Sequence, residues 1–345
     1  MIVPFDALCS QVAAMFRSVG MTQKNAAQMA EVLVTAEARG VYSHGIQLVP
    51  EYLQHIEDGV ASANPKIRVL QESDSTLLVD GDNGFGGISL TAAVDLATEK
   101  SRRSGSCALS MVNCNHYGAG AYYVERAAAQ SQISYLYADT PKMAAPFGGR
   151  ERYFGTNPYS FCAPAGKYGN IVLDMATTET AAGKLRAAID DGVQVRLGFG
   201  VDRDGNPTTD PAEILHHGAL SHFGGVKGYG ISFMIQVATG VLSGAAYKAS
   251  DVGMMRMVSD RPTVSFFMNL IDIASFMEPA QFNDRAARLI GEIKQVRPAG
   301  VFNEVCYPGE LENRRLAQAL QSGVNIHDAA YSAFCEDAHR RGVEL

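Results

Sequence analysis

The chain has 345 residues, and 47% of them are hydrophobic, which is enough for a sizeable core and favours two domains over one. Its formal net charge of −7, without a block of like charges, disfavours a general nucleic-acid binder, because such proteins carry a basic face. The six cysteines are scattered without a Cys-x-x-Cys spacing, so neither a zinc site nor a redox pair is indicated, and a reducing compartment is favoured.

Helical spacing of apolar residues predicts three helices at the start of the chain, over residues 5–17, 22–38 and 46–57. From residue 67 onward, short apolar runs typical of strands alternate with helical patterns. The predicted strands are residues 67–70, 76–79, 107–113, 133–138, 159–163, 171–175 and 264–273, and the predicted helices among them are residues 88–103, 121–130 and 229–242. Helical patterns return over residues 279–296, 308–321 and 327–340.

These elements predict an α/β fold of the α+β kind. Residues 159–163 and 171–175 flank a glycine-containing turn and read as a hairpin, so we expect a mixed sheet. Because helices occupy both ends of the sequence, we expect residues 1–72 and 279–345 to form one helical domain. Residues 73–278 would form a central α+β domain.

No segment is predicted to target or cross a membrane. Residues 1–16 contain Asp6 and lack a basic start, so they make a poor signal peptide. The longest apolar stretch, residues 229–246, contains Gln236 and Thr239 and lacks a basic or aromatic belt at both ends. We therefore expect a buried core helix there and a cytoplasmic protein.

One histidine lies on a turn between two glycines. Gly40 ends the second predicted helix, and Gly45 permits another sharp change of direction. His44 would therefore stand on a fixed corner, and an unperturbed pKa of about 6.5 suits proton transfer near neutral pH. The alternative is a surface histidine in a helix–helix turn.

A second histidine, His116, lies between a predicted strand and a predicted helix. Side chains at the carboxyl end of a strand face the cleft where open sheets bind ligands, and Gly118 and Gly120 let the backbone approach a ligand closely. His44 and His116 are thus candidates for acid/base catalysis and carbonyl orientation. A turn rich in small polar residues is the alternative.

The usual nucleotide motifs are absent. The chain has neither Gly-x-Gly-x-x-Gly after a strand nor a Gly-x-x-x-x-Gly-Lys-[Ser/Thr] loop, so a Rossmann enzyme and a P-loop ATPase are both disfavoured. Lys227 and Gly228, however, lie in a glycine-rich loop before a long apolar helix. Free amides, the helix dipole and an ammonium group together favour an anion at such a place.

Three further segments can contact a nucleotide or serve only local structure. Asp174 ends a predicted strand, where its carboxylate and the hydroxyls that follow can hold ribose or cap a helix. Thr156 and Asn157 precede Pro158 and would otherwise form an ordinary turn. Glu310 begins a helix and can act as a ligand contact or as a partner of the helix dipole.

A metal site is not expected. His216, His217 and His222 form the only histidine cluster in the sequence, but no nearby cysteine or carboxylate completes a ligand set.

Taken in order, these segments resemble the malate/L-lactate dehydrogenase family of NAD(P)-dependent oxidoreductases that lack a Rossmann fold. The matching motifs are Ser43-His44-Gly45 with Tyr52 and Gly59, Asn115-His116-Tyr117-Gly118, Pro146-Phe147-Gly148-Gly149, Gly155-Thr156-Asn157-Pro158, Asp174-Met175-Ala176-Thr177-Thr178 with Gly183-Lys184, Asp202-x-Asp204-Gly205-x-Pro207-Thr208-Thr209, Lys227-Gly228-Tyr229 and Pro308-Gly309-Glu310. Each motif is weak alone, but their order and spacing along nearly the whole chain are specific.

The resemblance implies a role for each motif. His116 is favoured as the direct proton carrier, with His44, oriented by Ser43, as its partner or substitute. Contacts to NAD or NADP, of which NAD is favoured, are implied for His116, Thr140, Thr156, Asn157, Asp174, Met175, Ala176, Lys227, Gly228, Pro308, Gly309 and Glu310. Substrate contacts are implied for Gln47, Leu48, Tyr52 and Lys184, and relatives are typically homodimers.

One position departs from the family pattern. Many relatives place an arginine four residues after the histidine of the Ser-His-Gly motif, and here that residue is Leu48. A bidentate arginine discriminates strongly for carboxylates, so its absence removes the usual contact to small 2-oxo acids. Gln47 could supply a weaker, neutral hydrogen bond.

The sequence therefore predicts an NAD(P)-dependent oxidoreductase. It would transfer hydride between nicotinamide C4 and C2 of a small 2-oxo or 2-hydroxy carboxylate, with histidine acid/base catalysis. One alternative is a reductase of cyclic imino acids, against which the Asn-His-Tyr-Gly pattern counts. The other is a catalytically silent nucleotide-binding protein, against which both histidines and Lys227 count.

Overall fold

The computed structural model describes residues 1–245 and 264–345. Its α-helices, in chain order, are α1 (Phe5–Ser18), α2 (Gln23–Ala38), α3 (Val49–Glu57), α4 (Gly86–Ser104), α5 (Ala121–Ala128), α6 (Ala182–Asp190), α7 (Pro211–His216), α8 (Val226–Gln236), α9 (Pro279–Ile293), α10 (Glu310–Ser322) and α11 (Asp328–Arg340). The strands are β1 (Ile2–Val3), β2 (Arg68–Glu72), β3 (Thr76–Gly84), β4 (Ser106–Cys114), β5 (Gln132–Ala138), β6 (Tyr159–Pro164), β7 (Asn170–Met175), β8 (Gly200–Val201), β9 (Ala219–Leu220), β10 (Val264–Asp272) and β11 (Val324–Asn325).

Seven strands form one mixed sheet, as the sequence predicts. Their order is β2-β3-β4-β10-β5-β6-β7. Only β3 and β4 pair in parallel, and the other neighbours in this sheet are antiparallel. β10 lies in the middle although it comes late in the chain, and its nearly continuous apolar sequence suits a strand covered on both faces.

The two ends of the chain share one apolar core. Side chains of α1, α2 and α3 pack there against α10 and α11, and β1 pairs with β11. The largest fully buried side chains of this core include Phe16, Met29, Leu33, Tyr52 and Phe334. A second core lies between the sheet and helices α4 and α5. The division into domains at residues 72 and 279 stays a prediction.

Two short helices and four short strands were not predicted. α6 buries only Leu185 and Ala188, so its apolar periodicity is weak. α7 has six residues and depends on local chemistry, because Asp210 accepts hydrogen bonds from the first-turn amides and Pro211 opens the helix. The four strands are β1, β8, β9 and β11, and each has two residues, which is too short for a period-2 pattern.

The prediction that the long apolar helix is a buried core helix is wrong for the described residues. α8 continues as a π-helical turn (Val237–Val241), and one face of the combined helix is open. Phe233 is 51% exposed and Leu242 64%, whereas Ile235 is fully buried. The reason is that the helix covers the sheet on one side only. Among the described residues, no helix is both long and apolar enough to cross a bilayer.

Candidate active site

The corner that carries His44 forms by local backbone chemistry. Thr22 caps α2 at its start, and Gly40 adopts φ +79° just beyond its end, where the Val41 amide donates to the Ala36 carbonyl at 2.9 Å. A 3₁₀ turn (Tyr42–His44) follows directly. The histidine therefore projects from a short, hydrogen-bonded turn, as the sequence predicts. Ser43 Oγ lies 2.9 Å from His44 Nδ1.

A carboxylate that the sequence did not single out lies beneath this corner. Glu37, on α2, is 3% exposed, and its Oε2 accepts a hydrogen bond from the Ile46 amide at 3.0 Å. A Cβ on Gly45 would fall 1.9 Å from the same oxygen, so only glycine fits there. The available signal was a charged residue among buried apolar positions of α2. Glu37 thus ties the end of α2 to the residues that follow His44.

Glu37 should make the stability of the protein depend on pH. Burial raises its pKa to about 7, against the opposing hydrogen bond from Ile46. Because the folded state holds this proton more tightly, stability should fall as pH rises from about 4.5 through 7. Glu37→Gln should remove about 2–3 kcal/mol of that dependence. The test is urea unfolding at pH 5 and pH 8, and identical pH dependence in both proteins would refute the assignment. Burial also raises the pKa of Asp139 to about 7. Asp139 is present in both the wild type and Glu37→Gln, so its contribution to the pH dependence cancels in the comparison.

The second histidine reaches the same place from the sheet. β4 ends at Cys114, and the His116 amide donates to Asn115 Oδ1 at 2.9 Å, which fixes the turn after the strand. The ring centroids of His44 and His116 lie 5.7 Å apart, with an interplanar angle of 20°. The structure thus brings together two imidazoles that are distant in the sequence and that the sequence analysis treats as catalytic partners. Ser43 lies on the exposed side of the pair, and His116 is 5% exposed.

Tyr52 contacts His116 instead of solvent. Its hydroxyl is hydrogen-bonded to His116 Nδ1, and its ring stacks on Phe85 at 4.3 Å between centroids. The Gly118 amide also donates to Nδ1, at 3.4 Å. Tyr52 is 1% exposed, so the structure places this predicted substrate residue behind His116.

The two imidazoles have different electrostatic surroundings. Burial, together with smaller contributions from positive charge on His44 and His55, lowers the pKa of His116 to about 3. Burial also lowers the pKa of His44, but the negative charge of Asp174 opposes that shift. The negative charge of Asp174 thus favours the imidazolium form of His44, and no such counter-charge from the described residues contributes at His116.

Asp174 and the Pro308–Gly309 turn meet in one cleft. The cleft has a volume of about 260 Å³ and is lined by Arg39, Val41, Ala121, Val172, Leu173, Asp174, Pro308, Gly309 and Glu312. Asp174 accepts hydrogen bonds from Ser160 Oγ at 2.7 Å and from the first amide of α5 at 2.9 Å. The turn is joined to the sheet edge, because the Val172 amide donates to the Pro308 carbonyl at 3.0 Å.

Glu310 lies in an ion-pair network beside this cleft. Its carboxylate pairs with Lys294 at 2.6 Å and with Arg314 at 2.5 Å, and it accepts from the Tyr307 amide. The sequence analysis left open whether Glu310 contacts a ligand or serves local structure, and these contacts are of the local structural kind. The carboxylate that lines the cleft from this turn is that of Glu312, which the sequence analysis did not single out.

Three of the other predicted cofactor residues, Thr140, Thr156 and Asn157, are joined by hydrogen bonds. Thr140 Oγ1 contacts Thr156 Oγ1 at 3.2 Å and accepts from the Asn157 amide at 3.3 Å. The Thr177 amide donates to the Thr156 carbonyl at 2.8 Å, and Thr177 accepts from the Phe223 amide in the loop before α8. Residues 174–177 therefore connect the Asp174 cleft to the start of α8. Lys227 and Gly228 lie in the first turn of this helix and not, as the sequence predicted, in the loop before it, because the helix begins three residues earlier than its apolar run. The Lys227 side chain is exposed and has no ion-pair partner among residues 1–245 and 264–345.

Three predicted substrate residues occupy different surroundings. Leu48 is 7% exposed and packs in the core shared by the two ends of the chain. Gln47 lines a separate surface cleft with Glu37, Tyr42 and residues 325–330. Lys184, in the first turn of α6, is exposed and lies near the corner, because a Cβ on Gly183 would be 3.8 Å from Ser43 Cβ. Within the described residues, no group of three or more His, Cys, Asp or Glu side chains could hold a metal ion.

Comparison with known proteins places this arrangement in a family. The profile of the malate/L-lactate dehydrogenases matches residues 3–335. The chain belongs to the malate/L-lactate dehydrogenase family. It is 33% identical to a malate dehydrogenase of Pyrococcus horikoshii over 99% of this chain and 96% of that protein. It is 31% identical to the NAD⁺-dependent ureidoglycolate dehydrogenase of Escherichia coli O157:H7, over 92% of this chain and 90% of that protein.

The fold agrees with the family assignment. The solved sulfolactate dehydrogenase of Methanocaldococcus jannaschii superposes with a TM-score of 0.91 at 32% identity, covering 100% of this chain and 98% of that one. The predicted resemblance and the predicted fold class are therefore confirmed. The chain is a member of a family of dehydrogenases, so its general activity is that of an oxidoreductase.

Proposed function

We propose that this malate/L-lactate dehydrogenase family member transfers hydride between a nicotinamide cofactor and C2 of a small 2-oxo or 2-hydroxy carboxylate. The observation that carries the proposal is the pairing of His44 and His116, 5.7 Å apart, beside the Asp174 cleft. Two imidazoles at this spacing can share one reacting oxygen, one giving a hydrogen bond and one moving a proton. Positioned acid/base catalysis contributes about 10²–10⁴-fold in rate.

The residues around the cleft fit a dinucleotide. Asp174 offers a carboxylate for ribose hydroxyls, and the exposed Lys227 in the first turn of α8 offers an ammonium donor for phosphate oxygens. When bound, the nicotinamide ring supplies or accepts the hydride. The chain's own residues bind and orient it, and the histidine pair handles the proton of the substrate oxygen.

The direct test is a substrate screen followed at 340 nm with NADH and NADPH. We expect oxidation of the cofactor with at least one 2-oxo acid among malate-, sulfolactate- and ureidoglycolate-type substrates. Turnover of cyclic imines alone would favour the imino-acid reductase. Tight cofactor binding without turnover of any 2-oxo acid or imine would favour the silent nucleotide-binding protein.

We further propose a preference for NAD over NADP. The cleft is lined by two carboxylates, Asp174 and Glu312. Arg39 is the one cation among the described lining residues, and its guanidinium pairs with Glu125 at 2.7 Å. A 2′-phosphate would meet two negative charges without a free cation, whereas a 2′-hydroxyl can donate to a carboxylate.

Asp174→Asn should weaken this preference. The variant keeps the shape of the side chain but removes its charge, so kcat/KM for NAD⁺ should fall about 10-fold and the NAD⁺/NADP⁺ ratio should fall with it. NADH binding, followed by fluorescence, should weaken in parallel. An unchanged ratio and an unchanged NADH affinity would show that Asp174 does not face the cofactor. Glu336→Gln on the exposed face of α11 is the matched charge-removal control.

A homodimer and a cytoplasmic location are also proposed. The open face of α8 and its π turn carries exposed apolar side chains, including Phe233, Met234 and Val241, which a second copy of the chain could cover. Sedimentation should therefore give twice the chain mass of 36.9 kDa, and a monomer at micromolar concentration would contradict the dimer.

The cytoplasmic location is supported by the six free thiols.

Lys184 is the residue we propose for the substrate carboxylate in place of the missing arginine. It stands on the helix that approaches Ser43, and its ammonium is a point charge without the bidentate geometry of arginine. Gln47 lines another cleft, so it is the weaker candidate. We therefore expect Lys184→Met to raise the KM for the 2-oxo acid without changing the affinity for NADH.

A further inference from the structure

The proposed function leaves open which histidine moves the proton, and the hydrogen bonds of His116 decide this. His116 Nδ1 faces two groups, the Gly118 amide at 3.4 Å and the Tyr52 hydroxyl. A backbone amide can only donate a hydrogen bond, so Nδ1 must be an acceptor. The Tyr52 hydroxyl then donates to the same nitrogen. In the neutral ring the single proton is left on Nε2.

We propose that Tyr52 and the Gly118 amide hold His116 in the Nε2–H form, so that His116 donates a hydrogen bond to the reacting oxygen while His44 carries the proton. Tyr52 is a positioning residue in this scheme, because it acts only through His116. The proposal rests on the proposed function for the identity of the reacting oxygen. The tautomer itself rests on the geometry alone.

Solvent access supports the same division of roles. A proton carrier must exchange its proton with water in every turnover. Ser43 is exposed, and its Oγ lies 2.9 Å from His44 Nδ1, which gives His44 a route to solvent through a hydroxyl. The partners of His116 give no such route, since Tyr52 is 1% exposed and Asn115 is fully buried.

The charged and titratable neighbours agree with this assignment. His116 faces Tyr52, His44 and His55, and burial keeps the Tyr52 hydroxyl protonated by raising its pKa well above 10. Among the residues that the structure describes, the groups that shift the pKa of His116 include no carboxylate. His44 faces His116 and Asp174, whose negative charge favours the imidazolium. A hydrogen-bond donor in a water-poor site needs no charge of its own to stabilise a developing oxyanion.

The chemical step balances with these roles. In reduction, a hydride adds to C2 with two electrons from the nicotinamide, which is oxidised. The electron pair of the C2=O π bond moves to oxygen and takes a proton from the His44 imidazolium, leaving it neutral. His116 keeps its Nε2 proton throughout. Oxidation of the hydroxy acid runs through the same groups in reverse.

The tautomer is tested by nitrogen NMR of protein labelled with ring-¹⁵N histidine. His116 signals are assigned with the His116→Gln variant. We expect one protonated ring nitrogen, Nε2, and one unprotonated nitrogen, Nδ1, with no titration of His116 between pH 5.5 and 8.5. A ring protonated on Nδ1, or one that titrates in this range, would overturn the proposal. This readout needs neither cofactor nor turnover, so it is independent of the proposed function.

Tyr52→Phe tests the positioning residue. Its ring can still stack on Phe85, and only the hydroxyl is lost, so a second set of His116 signals with Nδ1 protonated should appear and kcat should fall about 10–100-fold. Tyr123→Phe is the matched control, since it removes another buried tyrosine hydroxyl, one that donates to the Tyr117 carbonyl. Identical His116 signals in Tyr52→Phe and wild type would refute the role of Tyr52.

The pH profile of oxidation assigns the proton carrier. With His44 as the base, kcat/KM falls at acidic pH as His44 becomes protonated. His116→Gln should have a lower kcat/KM but should keep its fall at acidic pH, which is the acidic limb of the profile. His44→Gln should lose this limb. The opposite result, a limb lost only in His116→Gln, would make His116 the carrier. If no substrate turns over, the proposed function fails, and the NMR result still decides the tautomer.

Discussion

Alanine at His44 is expected to lower kcat by about 10²–10⁴-fold, because the group that exchanges the substrate proton is removed. Alanine at His116 should lower kcat by about 10²–10³-fold, because a preorganised hydrogen-bond donor to the reacting oxygen is lost. His44 is half-buried beside the exposed Ser43, so His44→Ala should change the unfolding midpoint little. His116 is 5% exposed and is bonded to the buried Tyr52 hydroxyl, so His116→Ala should lower the midpoint as well. Steady-state kinetics with NADH and the best 2-oxo acid measure both effects.

The control for this pair is His339→Ala. His339 is exposed near the end of α11, and its loss should leave kcat unchanged. NADH binding by fluorescence should remain within about twofold in all three variants. If His44→Ala and His116→Ala both turn over like the wild type, the histidine mechanism is wrong, whatever the substrate.

Gly45→Ala is expected to disrupt the corner that holds His44. A Cβ at this position would fall 1.9 Å from Glu37 Oε2, and Glu37 is itself buried and bonded to the Ile46 amide. The φ of Gly45 is −94°, so an alanine there suffers from the contact and not from its backbone conformation. Overpacking of this kind costs about 1–3 kcal/mol. Because His44 precedes Gly45 directly, kcat should fall about 10–100-fold as well.

A double-mutant cycle identifies the cause. In Glu37→Ala the clashing carboxylate is absent, so Gly45→Ala should cost much less stability in that background, with a coupling of about 1–3 kcal/mol. Urea unfolding of the four proteins gives the coupling. Additive effects would mean that Glu37 and Gly45 are not packed against each other. Gly59 has φ +69°, and a Cβ there would meet no atom within 4 Å. Gly59→Ala therefore measures the cost of backbone strain without a steric clash.

The family relationship explains why the substrate is harder to predict than the reaction. Its relatives include a malate dehydrogenase and a ureidoglycolate dehydrogenase, so one reaction class is combined with different substrates within the family. The residues that the sequence could match to this reaction class, His44 and His116, lie together in the structure. Leu48 stands where the family resemblance predicts a carboxylate-binding arginine, and it packs in a core. Side chains that tune specificity therefore have to be found by kinetics.

The sequence by itself determined the features that depend on near neighbours. The apolar period of α2, its cap at Thr22 and its end at Gly40 all follow from residues a few positions apart. The apolar sequence of β10 likewise marks a buried strand wherever it is placed. Local backbone preferences and side-chain spacing act over one or two turns, so they can be read without knowing the rest of the fold.

The tertiary structure alone decided which distant groups meet. It inserts β10 between β4 and β5, and it places Glu37 under Gly45 and Tyr52 behind His116. It also opens one face of α8, although the sequence of that helix is apolar nearly all round. These outcomes depend on how whole elements pack. Periodicity shows that a residue is buried or exposed, but it does not show which partner the residue contacts.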